Sequence, residues 1–168
     1  MKTDKLTQDR LKECLDYNLQ SGAFTWLAMP AKKSYLIGSI AGRLCKRTGY
    51  RRIQIDGQSY QAHRLSWLYV YGEWPEQMID HIDGNRDNNA IANLRDVSAK
   101  QNSQNQKKAQ KDNRTGFLGV HQQAGRSNFY AMIAVNRQNQ YLGTFDCPQE
   151  AHEAYLSAKR QLHEGCTI

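Results

Sequence analysis

Hydrophobic positions along this chain recur with two different spacings, and the switch between them marks out its elements. Leu6, Leu11, Leu15 and Leu19 stand at near-helical intervals, which predicts a short helix ending near Ser21, with Gly22 starting a turn. From GAFTWLA to IGSIAGRL, short apolar runs are broken by glycine, the pattern of small strands and turns. In GYRRIQIDGQSYQAHRL, Ile53 and Ile55 alternate with polar residues, Asp56-Gly57 supplies a tight turn, and Tyr60 and Ala62 continue a return strand. Leu65, Leu68 and Tyr69 then restore helical spacing until Gly72 and Pro75.

The last third changes character. FLGVHQQ, NFYAMIAVNR and QYLGTFD read as three strands, with turns at Gly125-Arg126 and from Asn136 to Asn139. A helix follows, with Pro148 in its first turn and Gly165 past its end. Its stripe of Ala151, Ala154, Tyr155, Ala158 and Leu162 should pack on the strand face formed by Phe129, Ala131, Ile133 and Val135. The other face, with Tyr130, Met132, Ala134 and Asn136, is left open for a partner. The fold class expected is α+β.

Between these halves lies MIDHIDGNRDNNAIANLRDVSAKQNSQNQ, dense in side chains that compete with regular structure for backbone hydrogen bonds. Asp80 and His81 are adjacent on an extended segment, so they project to opposite sides. A carboxylate with an amide oxygen makes a hard site suited to Mg²⁺, and a neutral imidazole is a good base near pH 7. Those are the requirements of phosphodiester hydrolysis, in which a water loses a proton as a cation neutralises developing charge. Asn102, on a short helix capped by Ser98, is the natural second ligand. A calcium loop does not fit: counting from Asp80, the glycine comes one place early and Ile91 stands where a closing glutamate is needed. Asp83, Asp87, Asn88 and Asn89 read as turn formers. His63, at a strand-to-helix junction, is open to a packing role or a catalytic one.

Charge adds a partner. Lys and Arg number 23 against 16 Asp and Glu, a net charge of +7 over 168 residues, which suits a polyanion such as nucleic acid and also suits a merely solvated surface. Lys100, Lys107, Lys108, Lys111 and Arg114 face a single acid, Asp112, across a very polar stretch; it can lie along phosphates or serve as a plain linker. The four cysteines, Cys14, Cys45, Cys147 and Cys166, lack zinc-finger spacing. No signal peptide or membrane-spanning run is expected, and a reducing intracellular compartment is.

The segment from His63-Arg64-Leu65 through Gly72 and Pro75 to Asp80-His81, Asn93-Leu94-Arg95 and Asn102 resembles the HNH endonucleases of bacteriophages, including homing enzymes. The resemblance implies a ββα-metal core in which His81 is the general base, Asp80 and Asn102 hold one divalent ion, Mg²⁺ first and Mn²⁺ second, and Asn93 fixes the loop that orients His81. GFLGVHQQ and the stretch from NFYAMIAV to the alanine-rich helix, YLGTFD above all, resemble the AP2 DNA-binding domain. That likeness implies a three-stranded sheet packed on one helix, with His121, Gln123, Tyr130 and Tyr141 near DNA; His121, Gln123 and Ala134 stand where the family has reading arginines, which leaves Arg126 and Arg137 to phosphate contacts.

The domain organisation expected is an N-terminal segment at 1–48, a nuclease at 49–108, a basic linker at 109–115 and an AP2-like reader at 116–168. The two resemblances imply a phosphodiester hydrolase acting on double-stranded DNA in the cytoplasm of a bacterial or phage-infected cell, with no membrane and no small-molecule cofactor beyond the metal, and the chain architecture suggests action as a monomer. Two other readings stand beside it: a DNA-binding regulator without catalysis, and a nuclease selective for DNA junctions.

Overall fold

The structure, a computed structural model, describes residues 6–28, 31–107, 109, 112–123 and 125–167, with backbone alone at 31–33. The fold is α+β, built from short helices and small antiparallel sheets. The chain divides into two compact units between Val97 and Ser98, ahead of the basic stretch read as a linker.

The first unit opens with α1 (Gln8–Cys14), capped by the Thr7 hydroxyl accepting from Arg10 N. The helix stops at Cys14, well short of the end expected near Ser21. Leu15 is buried, but on strand β1 (Leu15–Tyr17), and Leu19 is exposed. Local hydrogen bonding explains the difference. The Asn18 side chain accepts from Gln20 N and Ser21 N at 3.0 and 2.9 Å, closing a turn that returns the chain into β2 (Phe24–Trp26). Gly22, at φ +70°, lies directly on the backbone of Asn89 and Ala90, where an added Cβ would come within 2.2 Å.

After a 3-10 segment (Ala31–Leu36), strands β3 (Arg43–Leu44), β4 (Arg51–Ile55) and β5 (Gln58–Gln61) form a sheet in that order. Asp56 and Gly57 join β4 to β5 with positive φ at both positions, the geometry of the tightest hairpins. Ala62 opens α2 (Ala62–Tyr71) instead of extending β5, and Gly72 ends that helix at φ +80°. Leu11, Leu15, Phe24, Ile53, Leu65 and Leu68 are fully buried together. Strands β6 (Met78–His81) and β7 (Leu94–Val97) then pair antiparallel, with Asp80 opposite Arg95 and His81 opposite Leu94.

The second unit begins with α3 (Ala99–Gln104). Ser98 and Gln101 form a reciprocal capping box at its start. Strands β8 (Val120–Gln122), β9 (Phe129–Val135) and β10 (Gln138–Phe145) make a sheet with β9 central, backed by α4 (Pro148–Leu162). Val120, Ala131, Ile133, Ala151 and Tyr155 form its core, so the faces of β9 and α4 lie as the alternation indicates. The β9–β10 turn is tighter than read: Asn136 and Arg137 alone take positive φ, while Gln138 and Asn139 already belong to β10. Gly119 packs against Tyr155, whose ring leaves no room for a side chain there.

Candidate active site

Asp80 and His81 come from one four-residue strand, and both are largely buried. Neighbouring strand residues point to opposite faces, so each meets a different environment.

Asp80 meets β7. Arg95, directly across the strand pair, donates from Nε at 2.9 Å and from Nη2 at 2.7 Å to Asp80 Oδ2. Two charge-assisted bonds to one oxygen fix the direction of the carboxylate. Upstream, Asp96 accepts from Glu76 N and Gln77 N at 2.8 and 3.0 Å, tying the entry to β6 back onto β7.

His81 sits among aromatic rings. Its centroid lies 5.2 Å from that of His63, edge to face, and 5.9 Å from that of Tyr50. Tyr50 also packs on His63 at 5.0 Å and carries the Arg86 guanidinium over its ring at 5.1 Å. Burial pushes the His81 imidazole below the ordinary histidine value, against the opposing effects of Asn89, Asp83 and Asp80. A neutral ring, ready to accept a proton, is therefore its state near pH 7. Burial acts more strongly on His63, and with the neighbouring His81 and Arg64 brings it down to about 3.

The Asn- and Asp-rich segment between β6 and β7 is closed by its own side chains. Asn93 is the centre: its Oδ1 accepts from Asp83 N at 3.0 Å, and its Nδ2 donates to Asp83 Oδ1 at 3.0 Å and to Asn88 O at 2.9 Å. Asp83 further accepts from Asn85 N and Asn88 Nδ2, both at 2.7 Å. Partial burial alone would raise the Asp83 carboxyl, and the hydrogen bonds from Asn88, Asn85 and Asn93 bring it below its usual value instead. From outside, Arg51 pairs with Asp87 through two contacts of 2.9 Å, and Arg86 donates to Thr48 O at 2.9 Å. These polar groups satisfy much of the backbone of a loop whose regular structure, among the described residues, is the short 3-10 segment Ile91–Asn93.

Asn89 departs from the turn-former reading. It is 1% exposed, its Nδ2 donates to Asp87 O at 2.9 Å, and its backbone carbonyl accepts from Tyr17 OH at 2.7 Å. Composition gave no way to separate it from Asn88, because what buries it is the β1–β2 hairpin, some seventy residues away in sequence. Arg95 was equally hidden as a partner, since only the β6–β7 register sets it opposite Asp80.

Asn102 lies half-buried on α3 in the second unit. The donors that Asp80 and Asn102 offer are a carboxylate and an amide oxygen, hard ligands whose chemistry fits Mg²⁺ or Mn²⁺. Among the described residues, no three His, Cys, Asp or Glu side chains converge on one point.

The other basic and sheet residues divide into groups. Arg114, His121, Gln123, Arg126 and Tyr130 line one open groove of the second unit. His121 stacks on Tyr130 at 5.3 Å, its partner in the β8–β9 register. Tyr141 pairs with Met132 and so shares the sheet face opposite α4 with Tyr130. Arg137 stands in the β9–β10 turn, Lys100 is exposed on α3, and Lys107 follows that helix. Lys108 and Lys111 lie outside the described residues. His152 and His163, both half-buried, contact backbone carbonyls of Leu118 and Ala134, each at 2.9 Å.

A strand bearing Asp-His, a loop closed by an asparagine, a second strand and a short helix follow one another in the order of an HNH nuclease segment. Residues 60–104 match the HNH endonuclease family model, so the chain carries a segment of that type. A curated relative, the DNA endonuclease I-HmuI of Bacillus phage SP01, is 40% identical over 65 residues, or 36% of this chain and 37% of that enzyme. The chain thus spans little more than a third of that relative's length. No solved structure matches it.

Proposed function

We propose that this protein is a metal-dependent DNA endonuclease of the homing type, in which His81 is the general base, Asp80 and Asn102 hold a divalent ion, and Asn93 fixes the loop beside His81. What carries the reading is the adjacency, on one short strand inside the HNH-matching segment, of a carboxylate held in direction by Arg95 and an imidazole kept neutral by burial.

In this scheme Asp80 presents a fixed carboxylate oxygen, and His81 takes the proton of the attacking water. The water oxygen bonds to phosphorus as the bond to the 3′ oxygen breaks, giving 5′-phosphate and 3′-hydroxyl ends, with the 3′ oxygen protonated from solvent. A bound Mg²⁺ would supply neutralisation of charge on the phosphate and the leaving oxygen. Tyr50 and His63, packed at 5.9 and 5.2 Å from the His81 ring, would shield one side of it from water.

The second unit is the reader in this account, an AP2-like sheet whose open face and groove offer His121, Gln123, Tyr130 and Tyr141 to bases. Arg114, Arg126, Arg137, Lys100 and Lys107 would contact phosphates. The protein would act as a monomer on double-stranded DNA, in the cytoplasm of a bacterial or phage-infected cell.

The test is incubation of supercoiled phage DNA with Mg²⁺, Mn²⁺ or a chelator. Nicked or linear product with either ion and none with chelator supports the proposal. Binding without cutting under every ion would indicate a regulator, and cutting confined to branched DNA a junction-selective nuclease.

A further inference from the structure

The helix that carries Asn102 cannot hold itself in place. A helix as short as α3 does not persist alone in water, and its sequence AKQNSQ offers no apolar stripe: Gln104 is its buried residue. The Ser98–Gln101 capping box closes the first turn. The groups that close the last turn come from α4 and the segment after it, between 53 and 62 residues further along the chain.

Lys159, only 1% exposed, donates through Nζ to Gln106 O, just past the Asn105 C-cap. Gly165 N donates to Gln104 Oε1 at 3.2 Å, and the Thr167 hydroxyl donates to Asn105 Oδ1. Gly165 also lies on the backbone of α3, where an added Cβ would stand 2.2 Å from Gln101 O. The segment after α4 is anchored in its turn. His163 Nε2 meets Ala134 O of β9 at 2.9 Å, and Cys166 N donates to His163 O at 3.0 Å.

Lys159 continues the buried row of Ala151 and Tyr155 along α4, a position where an apolar side chain would be simpler to accommodate. Burying an ammonium is costly unless oxygen atoms or an aromatic face receive it. The Gln106 carbonyl and the Tyr155 ring, 5.9 Å from Nζ, do so here. A cation at this end of α3 also complements the partial negative charge of the helix terminus.

We propose that Lys159, Gly165 and Thr167 are positioning residues that fix the end of α3 and so direct the side-chain amide of Asn102. The second unit then does more than read DNA, because it also builds the helix that bears a metal ligand. The consequence for metal binding rests on Asn102 holding the ion. Groups that orient a ligand govern the affinity of its metal without touching it.

The test uses the full-length protein carrying Lys159→Met, Gln104→Leu or Gln104→Glu. Without metal or DNA, amide exchange at Asn102 and Asn105, which donate to Ser98 O and Gln101 O, should quicken by about tenfold in Lys159→Met and Gln104→Leu. The amides of β9 should exchange as in wild type, and Gln104→Glu, which keeps an oxygen for Gly165 N, should stay near wild type. In DNA cleavage the Mg²⁺ concentration for half-maximal rate should rise by about tenfold in the first two variants, with DNA affinity unchanged. Unchanged exchange at Asn102 and Asn105, or equal quickening throughout β9, overturns the proposal. So does a loosened α3 with unaltered Mg²⁺ dependence, where Asn102→Ala raises the Mg²⁺ requirement. Should Lys159→Met fail to fold, Gln104→Leu decides. An Asn102→Ala protein with the Mg²⁺ dependence of wild type would instead overturn the ligand assignment and leave the exchange result standing.

Discussion

Arg95 and Asp80 face each other across the β6–β7 pair, and both guanidinium contacts fall on the same carboxylate oxygen. As the proposed metal ligand, Asp80 would keep its direction before any ion arrives. Replacing Arg95 by alanine should slow cleavage by about tenfold to a hundredfold, on the scale of a charge-assisted hydrogen bond of about 1.5–3 kcal/mol. The Mg²⁺ concentration for half-maximal rate should also rise. Single-turnover rates across a Mg²⁺ titration check both, and Arg95→Lys, which keeps charge without the fork, should fall between.

Asn93 joins Asp83 to Asn88 through both ends of its amide. Asn93→Ala removes three hydrogen bonds and should cost about 1–3 kcal/mol. Amide exchange read by NMR should show early loss of protection at Asp83, whose N–H donates to Asn93 Oδ1. An unchanged Asp83 amide would mean that the loop is held by its other contacts.

Gly22 meets the Asn89–Ala90 backbone at φ +70°. Gly22→Ala combines left-handed strain with overpacking and should destabilise the first unit by about 2–4 kcal/mol. Thermal unfolding measures it. Gly57→Ala is the control, because that glycine has open space around it and bears the strain alone.

Burial above all brings His63 down to about 3 in the folded protein, from the ordinary value of about 6.5 when unfolded. Below about pH 6.5 the unfolded chain takes a proton that the folded one refuses. The stabilising contribution is therefore whole above that pH and declines as pH falls toward 3, by at most about 1.4 kcal/mol per pH unit. Urea unfolding between pH 7 and 4 should show a shallower decline for His63→Phe than for wild type. Parallel curves would place the acid sensitivity elsewhere.

The elements that sequence reveals and those it hides differ for a physical reason. The β4–β5 hairpin, the α2 stop at Gly72 and the β9–α4 packing follow from alternation, turn residues and a stripe, all local signals. The end of α1 is hidden from leucine spacing, which cannot show that Asn18 will close a turn. At the site, the Asp80-His81 dipeptide and Asn93 stand out by motif, whereas Asn89, Arg95 and Tyr50 gain their roles from register and from contacts distant in sequence. A chain read residue by residue offers no register.

The most direct test of the central claim is cleavage of supercoiled phage DNA by His81→Ala with Mg²⁺, alongside the affinity of wild type and variant for the same DNA. The account predicts that cutting is lost by at least a hundredfold, consistent with removal of a general base, with affinity unchanged. Cleavage at the wild-type rate by a folded His81→Ala protein would contradict it.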